Sequence, residues 1–147
     1  GKGAKAYGRC CNNIGSIAPG GYERLTQLYS NHRFALVFEN DDEPGYVTEK
    51  IVNAYMAGCV PIYWGSRGHV KQMFNPESFI YLSDFDSAQN LVDYVVKLDS
   101  DPEKLLAYQQ APVFVNEKPT EFFDFETPSP AILRMATFLR DNLPISK

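Results

Sequence analysis

The sequence predicts an α/β fold, an open parallel sheet with helices packed on both faces. Short β-branched and aromatic runs alternate along the chain with helix-period segments. Two of those runs, FALVFEN (34–40) and VPIYW (60–64), are apolar almost without interruption, as strands covered on both faces are. Between them lies a strongly periodic helical segment, 47–57, closed by Gly58.

In chain order, residues 4–8 read as a weak first strand. A loop rich in Gly, Asn and Pro follows over 12–21, and then a helix over 22–30. FALVFEN is the first strong strand, central in the sheet. The sequence DDEPG (41–45) breaks the chain before the helix over 47–57. VPIYW ends at Gly65, and a loop or short helix around 69–74 leads to a third strand, 79–82. Asp84 or Asp86 is placed to cap a helix over 88–98, and Asp101-Pro102 opens another reaching about residue 110. Residues 111–128, rich in Pro, Phe and acidic side chains, read as an irregular crossing whose aromatics pack onto the domain. Ser129-Pro130 signals a last helix over 131–142, whose apolar positions favour packing over membrane-surface binding. No internal repeat interrupts the pattern, so residues 1–147 are expected to form one domain.

Composition narrows the function classes. The 147 residues are 44% hydrophobic, enough for one core. A net charge of −4 with no basic stripe argues against nucleic acid as a partner. A small anion remains compatible, because a helix N-terminus supplies donors without net charge. No apolar run reaches the roughly 18 residues of a membrane span, and GKGAKAYGR lacks the apolar core of a signal peptide. Any upstream targeting or anchoring segment would lie outside these residues. Cys10, Cys11 and Cys59 show no CxxC spacing, so idle or buried thiols are expected rather than a metal site or disulfide framework. Asp84-Phe85-Asp86 has DxD spacing but reads as a helix cap, and Asp41-Asp42-Glu43 as a solvated acidic loop. His32 and His69 have no Ser or Cys partner in the sequence and read as surface or satisfied core residues.

On a helix starting near Tyr46, the residues Tyr46, Glu49, Lys50 and Asn53 share one polar stripe. Val47, Ile51, Ala54 and Gly58 form the opposite, small and apolar one, suited to packing on a sheet. The polar stripe then faces solvent or a cleft at the strand-to-helix junction, where backbone N–H groups are unpaired. Ligands of open parallel sheets sit beyond the carboxyl ends of the strands. Lys50 there suits a phosphate, and Glu49 suits sugar hydroxyls. On the residues alone, Glu49 and Lys50 read equally as a solvated pair, and Glu39-Asn40 as a plain strand end.

FALVFEN, then GYVTEK, then AYMAGCVPIYWGS, then NPESFIYLSDF, in that order and spacing, resemble the donor-binding domain of the α-1,3/4-fucosyltransferase family, nearest to its bacterial members. The similarity runs from about residue 7 to 98 and more loosely to the end. It implies a Rossmann-like domain, the C-terminal half of a GT-B glycosyltransferase, holding GDP-fucose. By the same resemblance Asn40, Tyr46, Glu49 and Lys50 line the donor site, with Lys50 neutralising the departing diphosphate. The implied reaction is inverting and needs no metal or other cofactor. The general base and an arginine that meets the diphosphate are expected upstream of these residues, along with the domain that binds the oligosaccharide acceptor. The chain by itself is therefore expected to bind donor weakly and to catalyse nothing. The compartment implied is cytoplasmic or membrane-peripheral for a bacterial member and the Golgi lumen for a eukaryotic one.

Overall fold

A computed structural model of the chain describes residues 3–9, 11–18 and 22–117, together with Thr137. Among them β1 (Phe34–Phe38), β2 (Val60–Trp64) and β3 (Ile80–Tyr81) form a parallel sheet in the order β1-β2-β3. The helices are α1 (Tyr22–Tyr29), α2 (Glu49–Met56), α3 (Val70–Met73), α4 (Ala88–Asp99) and α5 (Pro102–Gln110).

The expected α/β layering holds. Ala35, Val37 and Tyr63 on one face of the sheet pack with Ile51 and Ala54 of α2 and with Val70 and Phe74. Val60, Ile62 and Ile80 on the other face pack with Leu91 and Leu98 of α4 and Leu105 of α5. β2 is buried on both faces, which is why its sequence is apolar throughout. It tolerates Pro61 because the amide of Val60 points to β1, donating to Arg33 O, so the next residue points the other way. On that side β3 pairs only from Ile62 onward, and no ladder bond is lost at the proline.

α2 ends as its sequence requires. Gly58 takes a left-handed φ of 73°, while its N–H bonds Tyr55 O and the N–H of Cys59 bonds Ala54 O. Those two bonds make a Schellman motif, which only a residue tolerant of positive φ closes cheaply. α5 begins as expected: Asp101 accepts from Lys104 N at 3.1 Å and Pro102 follows as the first helical residue.

Several expectations are corrected. Residues 4–8 form no strand. Ala4 O and Ala6 N are taken by the side chain of Asn13, and Tyr7 O by Ala18 N, so this segment folds onto its own loop. FALVFEN is an edge strand among the described residues, not a central one, and its strand ends at Phe38. Its burial alternates, with Leu36 55% and Phe38 41% exposed, because α4 and α5 cover β2 and β3 on that face but not β1. The helix expected from 47 starts at Glu49. The cap of α4 is Ser87, which accepts from Asn90 N at 3.1 Å, rather than Asp84 or Asp86. Asp84 is drawn away to Lys71 Nζ, 2.7 Å from its Oδ2. The crossing that begins at Ala111 is described as far as Glu117, and there Phe114 stacks on Phe74 at 5.5 Å, the packing role expected of it. The helix expected over 131–142, and residues 118–128, lie outside the described residues apart from Thr137.

Candidate functional site

Beyond Phe38 the chain leaves the sheet through one more ladder bond, Glu39 N to Trp64 O at 3.0 Å. Strand alternation puts Glu39 on the side of Ala35 and Val37, so its side chain enters the interior and is only 4% exposed. A buried carboxylate is costly unless paired. Here Oε1 accepts from Thr48 N at 2.8 Å and from the Tyr63 hydroxyl at 3.1 Å, and Oε2 accepts from Thr48 Oγ1 at 2.7 Å. Burial foremost, with the charge of Glu39 also contributing, pushes the Tyr63 phenol well above its ordinary pKa, so it stays a donor.

Thr48 precedes α2 but spends its side chain on Glu39, and no side chain caps the helix. The first backbone N–H groups of α2 are thereby left to solvent or a ligand at the positive end of the helix dipole. Lys50, in that first turn, reaches back over the end of β1. Its Nζ donates to Phe38 O at 2.9 Å and to Asn40 Oδ1 at 2.8 Å, and lies 3.5 Å from Glu39 Oε2.

The neighbouring wall comes from the end of β2. Gly65, Ser66, Arg67 and Gly68 all have positive φ, which keeps the backbone tight against Glu39 and the loop after it. Asp42 ties the two loops together, accepting Arg67 N on Oδ1 and Arg67 Nε on its carbonyl, both at 2.8 Å. The acidic run at 41–43 is thus not simply solvated, since Asp42 is a tether.

Of the residues singled out from the sequence, Asn40 and Lys50 are in direct contact. Glu49 is exposed at the first position of α2, and with Lys50 and Asn53 it walls a cleft of about 320 Å³ along the free edge of β1, opposite Leu25 and Tyr29. Tyr46 lies on the loop before α2, 40% exposed, and so does not belong to a helical stripe. Asn53 is 5% exposed and forms part of the cleft wall, so of the two faces expected for the stripe, solvent or cleft, it takes the cleft. Tyr46, Glu49 and Lys50 themselves all retain exposure, as the stripe argument requires. Glu39 was read from the sequence as a plain strand end, and Thr48 and Tyr63 were given no role. The readable signal was the position of Glu39, in phase with Ala35 and Val37.

The arrangement is an ammonium held beside an uncapped helix N-terminus at the carboxyl end of a parallel sheet, which suits a multiply charged anion. Among the described residues no group of His, Cys, Asp and Glu is disposed to hold a metal ion, and His32 and His69 each contact a carbonyl of their own turn. No described helix is long and apolar enough to cross a membrane.

Comparison with known proteins sharpens this picture. Residues 3–122 match the family described as glycosyltransferase family 10 (fucosyltransferase), C-terminal. The chain is 32% identical over 119 residues to protein R654 of Acanthamoeba polyphaga mimivirus, which carries a fucosyltransferase name, covering 76% of this chain and 20% of that protein. It is 39% identical over 99 residues to the alpha-(1,3)-fucosyltransferase FucT of Helicobacter pylori, covering 61% of this chain and 20% of FucT. A solved alpha1,3-fucosyltransferase with GDP-fucose superposes with a TM-score of 0.75 at 29% identity, over 95% of this chain and 40% of that one. The chain therefore spans about a fifth of the curated relatives it matches.

Proposed function

The chain belongs to glycosyltransferase family 10, the fucosyltransferases, and on that premise we propose that it is the donor-binding part of an inverting α-1,3/4-fucosyltransferase, holding GDP-fucose at the end of β1. The observation that carries the reading is the Lys50 ammonium, fixed on Phe38 O and Asn40 Oδ1 at the uncapped start of α2. The solved relative with GDP-fucose supports the choice of ligand.

In this reading an acceptor hydroxyl attacks the anomeric carbon of fucose and gives its proton to a carboxylate outside these residues. The bond from that carbon to the β-phosphate oxygen breaks, and GDP departs with the electron pair. Lys50 and the N-terminal amides of α2 meet the charge that develops on the leaving diphosphate, and being already ordered they need no reorganisation. Asn40 is exposed, and while its Oδ1 accepts from Lys50 its amide N–H can donate to a phosphate oxygen. Tyr46 holds phosphate or sugar from the loop, and Glu49 accepts from ribose or fucose hydroxyls. No metal or other cofactor is called for, because the ammonium supplies the cation. The acceptor oligosaccharide is bound by a second domain of a GT-B pair, outside this chain. The compartment is cytoplasmic or membrane-peripheral in a bacterial setting and the Golgi lumen in a eukaryotic one.

Titration with GDP-fucose, GDP, UDP-galactose and ATP, followed by ligand-observed NMR, tests the reading. Selective binding of the guanine nucleotides is expected, weakened in Lys50→Ala. Equal response to all four nucleotides, or indifference to the substitution, would favour a transferase of different donor or a binding module of another kind.

A further inference from the structure

The Lys50 ammonium donates to two protein acceptors, Phe38 O and Asn40 Oδ1, and forms an ion pair with Glu39 Oε2 at 3.5 Å. The last of these is unusual for a site that receives an anion, because a carboxylate behind the lysine weakens its pull on phosphate. Electrostatic attraction alone gives no reason for Glu39 to stand there. Orientation does. A free lysine side chain has several rotatable bonds to order before it can meet a ligand in one geometry.

We propose that Glu39 is a positioning residue of the donor site, its buried carboxylate aiming Lys50 and, through Thr48, fixing the first turn of α2 to the end of β1. The inference rests on the donor-binding reading for its ligand but not for its geometry. One carboxylate engages the two anion-binding elements at once: Thr48 N and Oγ1 hold the helix start, and Oε2 holds the ammonium. Tyr63 and the glycine at 65 close the space around it, so that the carboxylate has one place to sit. Lys50 and the α2 amides then keep a fixed separation, as recognition of a diphosphate by both requires.

Glu39→Gln separates aiming from mere structure. The amide oxygen still accepts from Thr48 N and Tyr63, and the amide N–H still reaches Thr48 Oγ1, but the side chain no longer attracts the ammonium. Two readouts are taken on the full chain: the ¹H–¹⁵N signal of the Lys50 ammonium, sharp only when hydrogen bonds protect it from exchange, and the affinities for GDP and for guanosine. In the wild type a protected Lys50 signal is expected. In Glu39→Gln that signal vanishes, GDP binding weakens about tenfold as the ammonium loses its fixed place, and guanosine binding is unchanged. Glu39→Asp, which retains the charge but withdraws it by one methylene, loses the signal as well. Persistence of the protected signal in Glu39→Gln overturns the proposal, as does its absence from the wild type, which is decisive even if no variant folds. If the wild type binds no guanine nucleotide, the donor reading fails, while the ammonium signal still decides the role of Glu39.

Discussion

A methyl group placed on the α-carbon of Gly65 would lie 2.8 Å from the Cβ of Glu39. The two residues directly follow the ends of neighbouring strands, and their backbones are as close as they are because residue 65 has no side chain and a φ of 127°. Gly65→Ala is therefore expected to cost roughly 2–3 kcal/mol, from strained backbone and from displacement of Glu39. Urea unfolding of wild type and variant measures the loss. An unchanged midpoint would mean that the strand ends separate freely and that Glu39 is not held where it is seen.

Lys50→Ala removes the only side-chain cation that touches the Asn40 end of β1 among the described residues. GDP affinity is expected to fall about tenfold or more, and guanosine affinity to stay within error, because the lost contact belongs to the phosphates. Equal losses for GDP and guanosine would place the effect on the fold instead.

Cys59 carries a pH prediction. Burial pushes its thiol up to about 11, and its Sγ–H donates to Tyr29 O at 3.1 Å and His32 O at 3.2 Å. The folded chain thus holds this proton more tightly than the unfolded chain does. Its contribution to stability is complete below about pH 8.5, the ordinary thiol value, and is lost as pH rises toward the folded value. Native chain treated with iodoacetamide near pH 8 should leave Cys59 unmodified by peptide mass spectrometry, and the same treatment in urea should modify it. Fast native modification would contradict the burial.

Capping gives a matched pair of substitutions. Ser87→Ala deletes the acceptor for Asn90 N at the start of α4 and is expected to cost about 1 kcal/mol. Asp84→Ala breaks only a pair with Lys71 whose side chains are substantially exposed, and should cost less, roughly 0–1 kcal/mol. Reversal of that order in thermal or urea unfolding would restore the aspartate as the effective cap.

The cap was misread for a general reason. Asp84, Asp86 and Ser87 all stand within reach of the helix start, and any of them satisfies the local preference. Lys71, distant in sequence, takes Asp84 out of the competition. Residues 4–8 went the same way: a run with strand-like composition was captured by the side chain of Asn13, a bond that no pattern of apolar residues announces.

What the sequence determined by itself is whatever depends on near neighbours along the chain: two strong parallel strands, the helix between them with its Gly58 closure, and the Asp101-Pro102 start of α5. The family motifs added the kind of ligand. Tertiary structure alone decided that β1 is an edge among the described residues, with Leu36 and Phe38 exposed, that Tyr46 sits before α2 rather than on it, and that Asn53 takes the cleft rather than the solvent. It alone also decided that Glu39 joins Thr48, Tyr63 and Lys50. A buried charge must find every partner it needs within a few ångströms, and here those partners come from two stretches of chain, around residues 48–50 and at Tyr63, that only folding brings to Glu39.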